Sequence, residues 1–273
     1  MCNIIRRFFI FPGSESQGKY DQLPLPYQDF VIAISTDEGH QISLLYGDAL
    51  PNDNDDSFSQ EPYSLLYFYG NGMCLLNATY EFDYFRKLGL NVTISEYIGF
   101  GLSSGVATEE GCQQTARAAY KYLTNEKGIS CSRILVAGWS LGAAVATYLA
   151  KMVDVAGLIL LSPFTNIYDE ASQLFPFIPQ SIFPKYLLES VVSDQFDNLG
   201  RITHVRCPIF IAHGTLDDIV PFNMGDTLCK KAEESGKKIT FFPIEDARHN
   251  DIFEAGGKRL RREIRHFVSS LSD

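Results

Sequence analysis

The chain has 273 residues, of which 45% are hydrophobic and 21% are charged, the composition of an ordinary globular protein. Its formal net charge of -10 disfavours nucleic acid as a partner, because a negative surface repels phosphate groups. No apolar run reaches the roughly 20 residues that a membrane-spanning helix needs. These properties predict one domain over residues 1–273 without a transmembrane segment.

The N-terminal segment, residues 1–12, is apolar and carries Arg6 and Arg7. It can be interpreted as a first strand or an arm that packs on the domain. The alternative is a peripheral membrane contact in which Cys2 is a candidate acylation site, although one lipid chain alone binds weakly. The six cysteines form no C-x-x-C pair, so we expect free thiols in a reducing compartment. The predicted location is the cytoplasm, with this segment as the candidate membrane contact.

The first predicted elements are two strands, 30–35 and 41–46, that flank a turn signal at 36–40 and form a β-hairpin. An acidic segment, 48–62, follows. It is interpreted as a solvated loop, with a cation site as the alternative.

From residue 63 onward, apolar strands alternate with helices. Strands are predicted at 63–69, 91–97, 133–137, 155–161, 207–212 and 238–243, and helices at 75–88, 108–125, 141–152, 224–235 and 258–271. Continuous apolar strands with helices between them indicate an α/β fold, a mostly parallel central sheet with helices on both faces.

Residues 163–206 interrupt the alternation and are rich in Pro, Phe and Tyr. The excursion is much longer than a normal connection, so a small cap or lid over the carboxyl edge of the sheet is predicted. An ordinary crossover with additional aromatic packing is the alternative.

Two N-x-T sequons occur, at Asn77 and Asn91. Asn77 falls in a predicted core helix and Asn91 in a predicted core strand. Glycosylation needs an exposed loop, so both are interpreted as chance matches.

Residues 138–142 read Gly-Trp-Ser-Leu-Gly and match the pattern G-x-S-x-G. An apolar strand precedes Ser140 and a Gly/Ala-rich helix follows at once, which is the context of a sharp turn that lifts a serine out of a sheet. The residues two before and two after the serine must be small, because the backbone is crowded there. Ser140 is therefore the candidate nucleophile.

A serine hydroxyl needs a base within reach. Of the five histidines, His249 lies between the last predicted strand and the last predicted helix, where a loop can bring it to the serine. His40 precedes the serine, His213 ends a strand, and His266 lies within a helix. His249 is therefore the candidate base.

An acid that orients the imidazole is expected after the penultimate strand, where the sequence offers Asp217 and Asp218. The residues themselves leave this choice open. An oxyanion hole needs two backbone N–H groups. Leu141, directly after the nucleophile, and Asn71, in the Gly-Asn-Gly turn after strand 63–69, are the candidates.

Together these residues resemble the α/β-hydrolase superfamily, and within it the Bem46-like and ABHD17-like serine hydrolases. The segment 69–72 is similar to the H-G-N-[GA] loop of these proteins, and 96–105 is similar to D-Y-x-G-Y-G-x-S-x-G. Residues 213–217 fit H-G-x-x-D, in which the acid is three after the glycine, and this resemblance favours Asp217. Residues 248–251 resemble G-H-N-D.

Three departures from these patterns stand out. Tyr69 replaces a histidine that is not a proton carrier, so hydrolysis is expected to survive. Arg248 replaces a glycine before the candidate base, which affects access. A membrane helix that is common before the first strand of these proteins is replaced by the short segment with Cys2.

The resemblance implies a serine hydrolase that cleaves carboxylic esters or thioesters of small molecules or acylated proteins, without a metal or an organic cofactor. A peptidase or aminopeptidase-like amidase is one alternative, because the same triad cleaves amides. A catalytically silent binding protein is the other. Oligomeric state and acyl chain length are not predicted.

Overall fold

The computed structural model describes Phe11 and residues 22–51, 61–167 and 195–271. Most of the predicted cap (163–206), most of the acidic segment (48–62) and Cys2 lie outside the described residues. Phe11 itself is fully buried, and its ring contacts those of Phe100 and Phe196.

Eight strands within the described residues form one sheet in the order β1-β2-β4-β3-β5-β6-β7-β8. Their bounds are β1 Val31–Ser35, β2 Gln41–Gly47, β3 Ser64–Phe68, β4 Asn91–Ser95, β5 Ile134–Trp139, β6 Gly157–Leu161, β7 Ile209–Gly214 and β8 Ile239–Ile244. The pairs β1–β2 and β2–β4 are antiparallel and the other pairs are parallel. The predicted hairpin and the mostly parallel sheet are confirmed.

The central strands β3, β5 and β6 are buried along almost their whole length. A strand that is covered on both faces has no polar side, which is why these segments read as continuous apolar runs instead of alternating. Within the described ranges, the α-helices are α1 Leu25–Gln28, α2 Thr79–Arg86, α3 Glu109–Lys121, α4 Leu141–Met152, α5 Asn198–Ile202, α6 Phe222–Glu234 and α7 Ile252–Ser269.

Helix α3 begins where the sequence predicts it. The Thr108 side chain accepts a hydrogen bond from the Gly111 N–H, which satisfies one of the unpaired donors of the first turn. Two other helices begin more than two residues from the predicted start. Helix α7 begins at Ile252, six residues before the predicted start at residue 258. Gly257, at φ 45°, kinks the helix directly before residue 258.

Helix α2 begins at Thr79 and not at residue 75. The Asn77 side chain accepts a hydrogen bond from the Cys74 N–H (3.1 Å), and this local bond favours a turn over a helix. Asn77 is exposed, so the expectation that its sequon lies in a core helix is wrong. Asn91, in contrast, is the first residue of the core strand β4.

Candidate active site

Ser140 lies at the junction of β5 and α4 in a strained backbone conformation, with φ 55° and ψ −116°. Few residues other than glycine adopt a positive φ, and holding one there costs about 1–3 kcal/mol. The Ser140 N–H donates to the Leu161 carbonyl of the neighbouring strand β6 (2.9 Å), which ties the turn to the sheet. The turn therefore lifts Ser140 from the end of β5.

The two glycines of the motif are required by space. A Cβ at Gly138 would collide with the Gly142 carbonyl, and a Cβ at Gly142 would collide with the Phe68 carbonyl at the end of β3. The crowding is between backbone atoms, which cannot rotate away. The prediction that both positions must be small is confirmed.

Leu141 is the first residue of α4. The N–H groups of a first helical turn have no acceptor within the helix, and the helix dipole makes that end partially positive. The structure thus places the Leu141 N–H directly after Ser140, at an end of a helix that favours negative charge.

His249 and Asp217 form a buried pair. The distances from His249 Nδ1 to Asp217 Oδ2 and Oδ1 are 2.8 and 3.1 Å. Asp218 points elsewhere, because its carboxylate pairs with the exposed guanidinium of Arg248 (3.1 Å). Of the two aspartates that the sequence offers, the structure brings Asp217 to His249.

Asp217 has further donors. The N–H groups of Ile219 and Val220 bind its Oδ1 at 3.0 and 2.8 Å, and His213 Nε2 lies 3.4 Å from its Oδ2. Burial alone would raise the pKa of Asp217, but the hydrogen bonds from His213 and His249 hold that pKa well below its ordinary value. The carboxylate is therefore ionised at neutral pH.

His213 lies at the end of a strand, as the sequence predicts, and its side chain packs there. Its side chain is fully buried in β7, and its Nε2 lies 2.8 Å from the Val220 carbonyl, so Nε2 carries the proton. The contact of His213 with Asp217 was not foreseen, because spacing along the chain does not reveal it.

Trp139 is a second residue that sequence reasoning missed. Its ring lies beside that of His249, with centroids 5.2 Å apart and planes 31° apart. A Cβ at Gly70 would approach Trp139 Cε3 to 2.7 Å, so the loop after β3 passes against the same ring. Trp139 thus joins the turn of Ser140, the loop of Asn71 and His249. Its position as the variable residue of G-x-S-x-G was the only available signal.

The loop after β3 turns sharply at Gly72, where φ is 83°. The Asn71 side-chain oxygen accepts the Gly72 N–H at 3.0 Å, which stabilises the turn locally. Tyr69, which stands at the histidine position of the resembled pattern, is fully buried, and its hydroxyl lies 3.4 Å from Glu96. Tyr69 is therefore a core residue under the loop.

His249 and Ser140 are both nearly buried. Among the described residues, the hydrogen bonds of His249 run to Asp217 and include none to the Ser140 hydroxyl. Such catalytic contacts are often long without substrate. The arrangement holds an oriented imidazole near the turn that carries Ser140.

Comparison with known proteins identifies the family. The profile of the prolyl oligopeptidase family matches residues 107–272, more than half of the chain. The chain belongs to the prolyl oligopeptidase family. This places it in the α/β-hydrolase superfamily and confirms the resemblance inferred from the motifs.

Individual relatives match this chain over most of its length. An uncharacterized protein of Mycobacterium tuberculosis is 32% identical over 185 residues, which are 68% of this chain and 62% of that protein. Human alpha/beta hydrolase domain-containing protein 17B is 27% identical over 86% of this chain and 73% of its own length. Zebrafish (Danio rerio) lysophosphatidylserine lipase ABHD12 is 29% identical over 73% of this chain and 56% of its own length. The chain thus spans less than two thirds of the mycobacterial relative.

Solved structures confirm the fold. An α/β hydrolase from Vibrio vulnificus superposes with a TM-score of 0.76 over 96% of this chain and 92% of its own, at 18% identity. The esterase Pf2001 of Pyrococcus furiosus gives 0.69 over 88% and 91%, at 17% identity. At these identities the likeness is one of fold alone.

Neither a membrane-spanning helix nor a metal-binding group is found in the described part of the chain. No helix there is both long and apolar enough to cross a bilayer. Within the same residues, no group of three His, Cys, Asp or Glu side chains is arranged to hold a metal ion.

Proposed function

We propose that this protein is a serine hydrolase that cleaves carboxylic ester or thioester bonds through an acyl-enzyme on Ser140. The observation that carries the proposal is the buried His249–Asp217 pair beside the strained turn of Ser140. A strained positive φ at a serine between a strand and a helix is explained by a functional need to project the hydroxyl away from the sheet.

The hydrogen-bond pattern supports the assignment of the proton. An ionised carboxylate only accepts, so His249 Nδ1 must carry the hydrogen that faces Asp217. Nε2 of the neutral ring is then the nitrogen that can take the proton of the Ser140 hydroxyl as it attacks a carbonyl. The imidazolium that forms is stabilised by the Asp217 charge, and it returns the proton to the leaving group.

The oxyanion of the tetrahedral intermediate is proposed to bind the N–H groups of Leu141 and Asn71. Support comes from the position of Leu141 at the start of α4 and of Asn71 in the loop against Trp139. Water then attacks the acyl-enzyme by the same route, with His249 again as the base. The residues named here need no metal or organic cofactor.

The decisive experiment is labelling with a fluorophosphonate, which reacts covalently with an activated serine. Wild-type protein should label, and Ser140→Ala and His249→Ala should not. Asp218→Asn is the matched control for Asp217→Asn, because both remove one carboxylate of the same loop and only Asp217 contacts His249. Folded wild-type protein that fails to label would favour the silent binding protein.

Cleavage of amides is the second candidate, and the membership of the prolyl oligopeptidase family favours it. A Pyrococcus horikoshii acylaminoacyl peptidase also shares the fold, with a TM-score of 0.64 at 14% identity. Nitrophenyl esters of increasing chain length and aminoacyl nitroanilides, assayed with one preparation, separate the two. A kcat/KM for anilides equal to or above that for esters would reverse the preference.

Small-molecule esters and acylated proteins are the proposed substrate classes. Peripheral membrane contact is proposed for the N-terminal segment with Cys2, which lies outside the described residues. Mass spectrometry of cell-expressed protein and of Cys2→Ser tests for an acyl group, and an unmodified wild-type mass would remove the anchor.

A further inference from the structure

Glu96 is a buried carboxylate that joins two loops at the candidate active site. It follows β4 directly and is 1% exposed. Its Oε1 accepts the Leu75 N–H at 2.8 Å, in the loop after β3. Its Oε2 accepts the Leu102 N–H at 2.6 Å, in the loop after β4.

The first of these loops is the one that carries Asn71. Leu75 lies four residues after Asn71, and Tyr69, whose hydroxyl is 3.4 Å from Glu96 Oε1, lies two residues before it. The next residue, Tyr97, donates its hydroxyl to the Tyr69 carbonyl at 2.7 Å. Residues 69–75 are thus held at both ends by Glu96 and Tyr97.

The second loop is fitted closely around the carboxylate. Gly101 has φ 44°, and a Cβ there would collide with the Glu96 carboxyl group. The Ser103 hydroxyl donates to the Glu96 carbonyl at 3.1 Å. This loop therefore acts as a fixed support for Glu96.

We infer that Glu96, assisted by Tyr97, is a positioning residue that fixes residues 69–75 and so aims the Asn71 N–H at the oxyanion. The inference rests on the proposed function, since it assigns a role within the same site. An ionised carboxylate accepts both N–H groups with full charge. Glutamine turns its NH2 donor toward one of them, and a protonated acid offers only a weaker hydroxyl acceptor there.

The surroundings of Glu96 make its charge state variable. Within the described residues, none of its partners is a Lys, Arg or His side chain. Burial raises the pKa of Glu96 to about 7, although the hydrogen bonds from Leu102, Leu75 and Tyr69 oppose the rise. Among the described residues, the titratable side chain in contact with it is Tyr69, which in turn lies near Tyr97 and Cys74. Burial raises the pKa of both tyrosines well above the ordinary value, so both stay neutral.

The test compares ester hydrolysis by wild type and Glu96→Gln from pH 5.5 to 8.5. At pH 8.5 we expect kcat to fall about 10- to 100-fold in the variant with KM changed less than about threefold, the size of loss that a misplaced catalytic donor causes. At pH 5.5 the wild-type carboxyl is protonated, so the ratio of the two rates should shrink toward one. Any pH dependence that the two proteins share cancels in the ratio.

Glu81→Gln is the matched control. Glu81 is also buried, and burial raises its pKa to about 7 as well, but its Oε2 has no hydrogen-bond partner among the described residues. We expect its kcat to equal that of wild type at every pH.

A rate ratio for Glu96→Gln that does not change with pH, whether one or larger, would overturn the inference while leaving the proposed function intact. An inactive wild type would instead contradict the proposed function. If Glu96→Gln does not fold, Tyr97→Phe tests the same anchoring from Tyr69, and an unchanged kcat in that folded variant would overturn the inference.

Discussion

Asp217→Asn replaces the carboxylate beneath His249 by an amide of the same shape. The amide can keep one oxygen on the N–H groups of Ile219 and Val220, which bind Asp217 Oδ1 at 3.0 and 2.8 Å. Its NH2 group then faces His249 Nδ1, where Oδ2 was 2.8 Å away. Two donors cannot face each other, so the ring must place its proton on Nε2, and the nitrogen that should take the Ser140 proton is lost.

The expected cost follows from that change of tautomer. The equivalent change in a serine protease triad lowers kcat about 10⁴-fold, which corresponds to about 5 kcal/mol of activation free energy. Since the loop keeps its backbone hydrogen bonds, we expect kcat for esters to fall about 10³- to 10⁴-fold with a smaller change in KM.

The assay is ester hydrolysis and fluorophosphonate labelling of Asp217→Asn beside Asp218→Asn. The control removes only an exposed pair with Arg248, which is worth less than about 1 kcal/mol, so its rates should match wild type. Equal loss in the two variants, or a loss of less than tenfold in Asp217→Asn, would refute the reasoning that Asp217 sets the tautomer of His249.

Three further predictions concern stability. Ser140→Gly should raise the free energy of unfolding by about 1 kcal/mol or more, because glycine adopts φ 55° without strain. The same variant should lose fluorophosphonate labelling, since the hydroxyl is gone. An unchanged Tm would contradict the backbone strain at Ser140. Burial raises the pKa of Glu81 to about 7 in the folded protein, so protonation of Glu81 stabilises the fold. This stabilisation is complete below the pKa of Glu81 in the unfolded chain and is lost as pH rises through 7. Glu81→Gln should therefore remove a pH-dependent loss of up to about 3 kcal/mol in denaturant titrations between pH 5 and 8, and an equally steep dependence in both proteins would argue against it. Glu109 pairs with Arg201 and accepts the N–H groups of Gln195 and Phe196 at 2.6 and 3.0 Å. Glu109→Gln should therefore lower the free energy of unfolding by about 3 kcal/mol. A loss below about 1 kcal/mol would show that the ion pair is dispensable for stability.

Most signals that lie within a few neighbouring residues predict the structure correctly, with the start of α2 as an exception. The elbow at Ser140 is in part such a signal, because Gly138 is crowded by the Gly142 carbonyl four residues later. Gly142 itself is crowded by the Phe68 carbonyl of β3, which only the sheet brings close. The start of α3 at Thr108 is another, since its cap joins residues three apart. The start of α2 was misread because the Asn77 side chain competes locally with the helix.

The sequence by itself determined the alternation of strands and helices, the position of Ser140 and the choice of His249, because apolar periodicity and one strained turn are properties of short segments. The motif resemblance already favours Asp217, and the tertiary structure shows its contact with His249. Only the tertiary structure decided that the Trp139 ring joins His249 to the loop after β3 and that Glu96 holds that loop. These contacts join residues that are distant along the chain and converge where parallel strands end. Their geometry depends on the packing of the whole sheet, which no local pattern encodes.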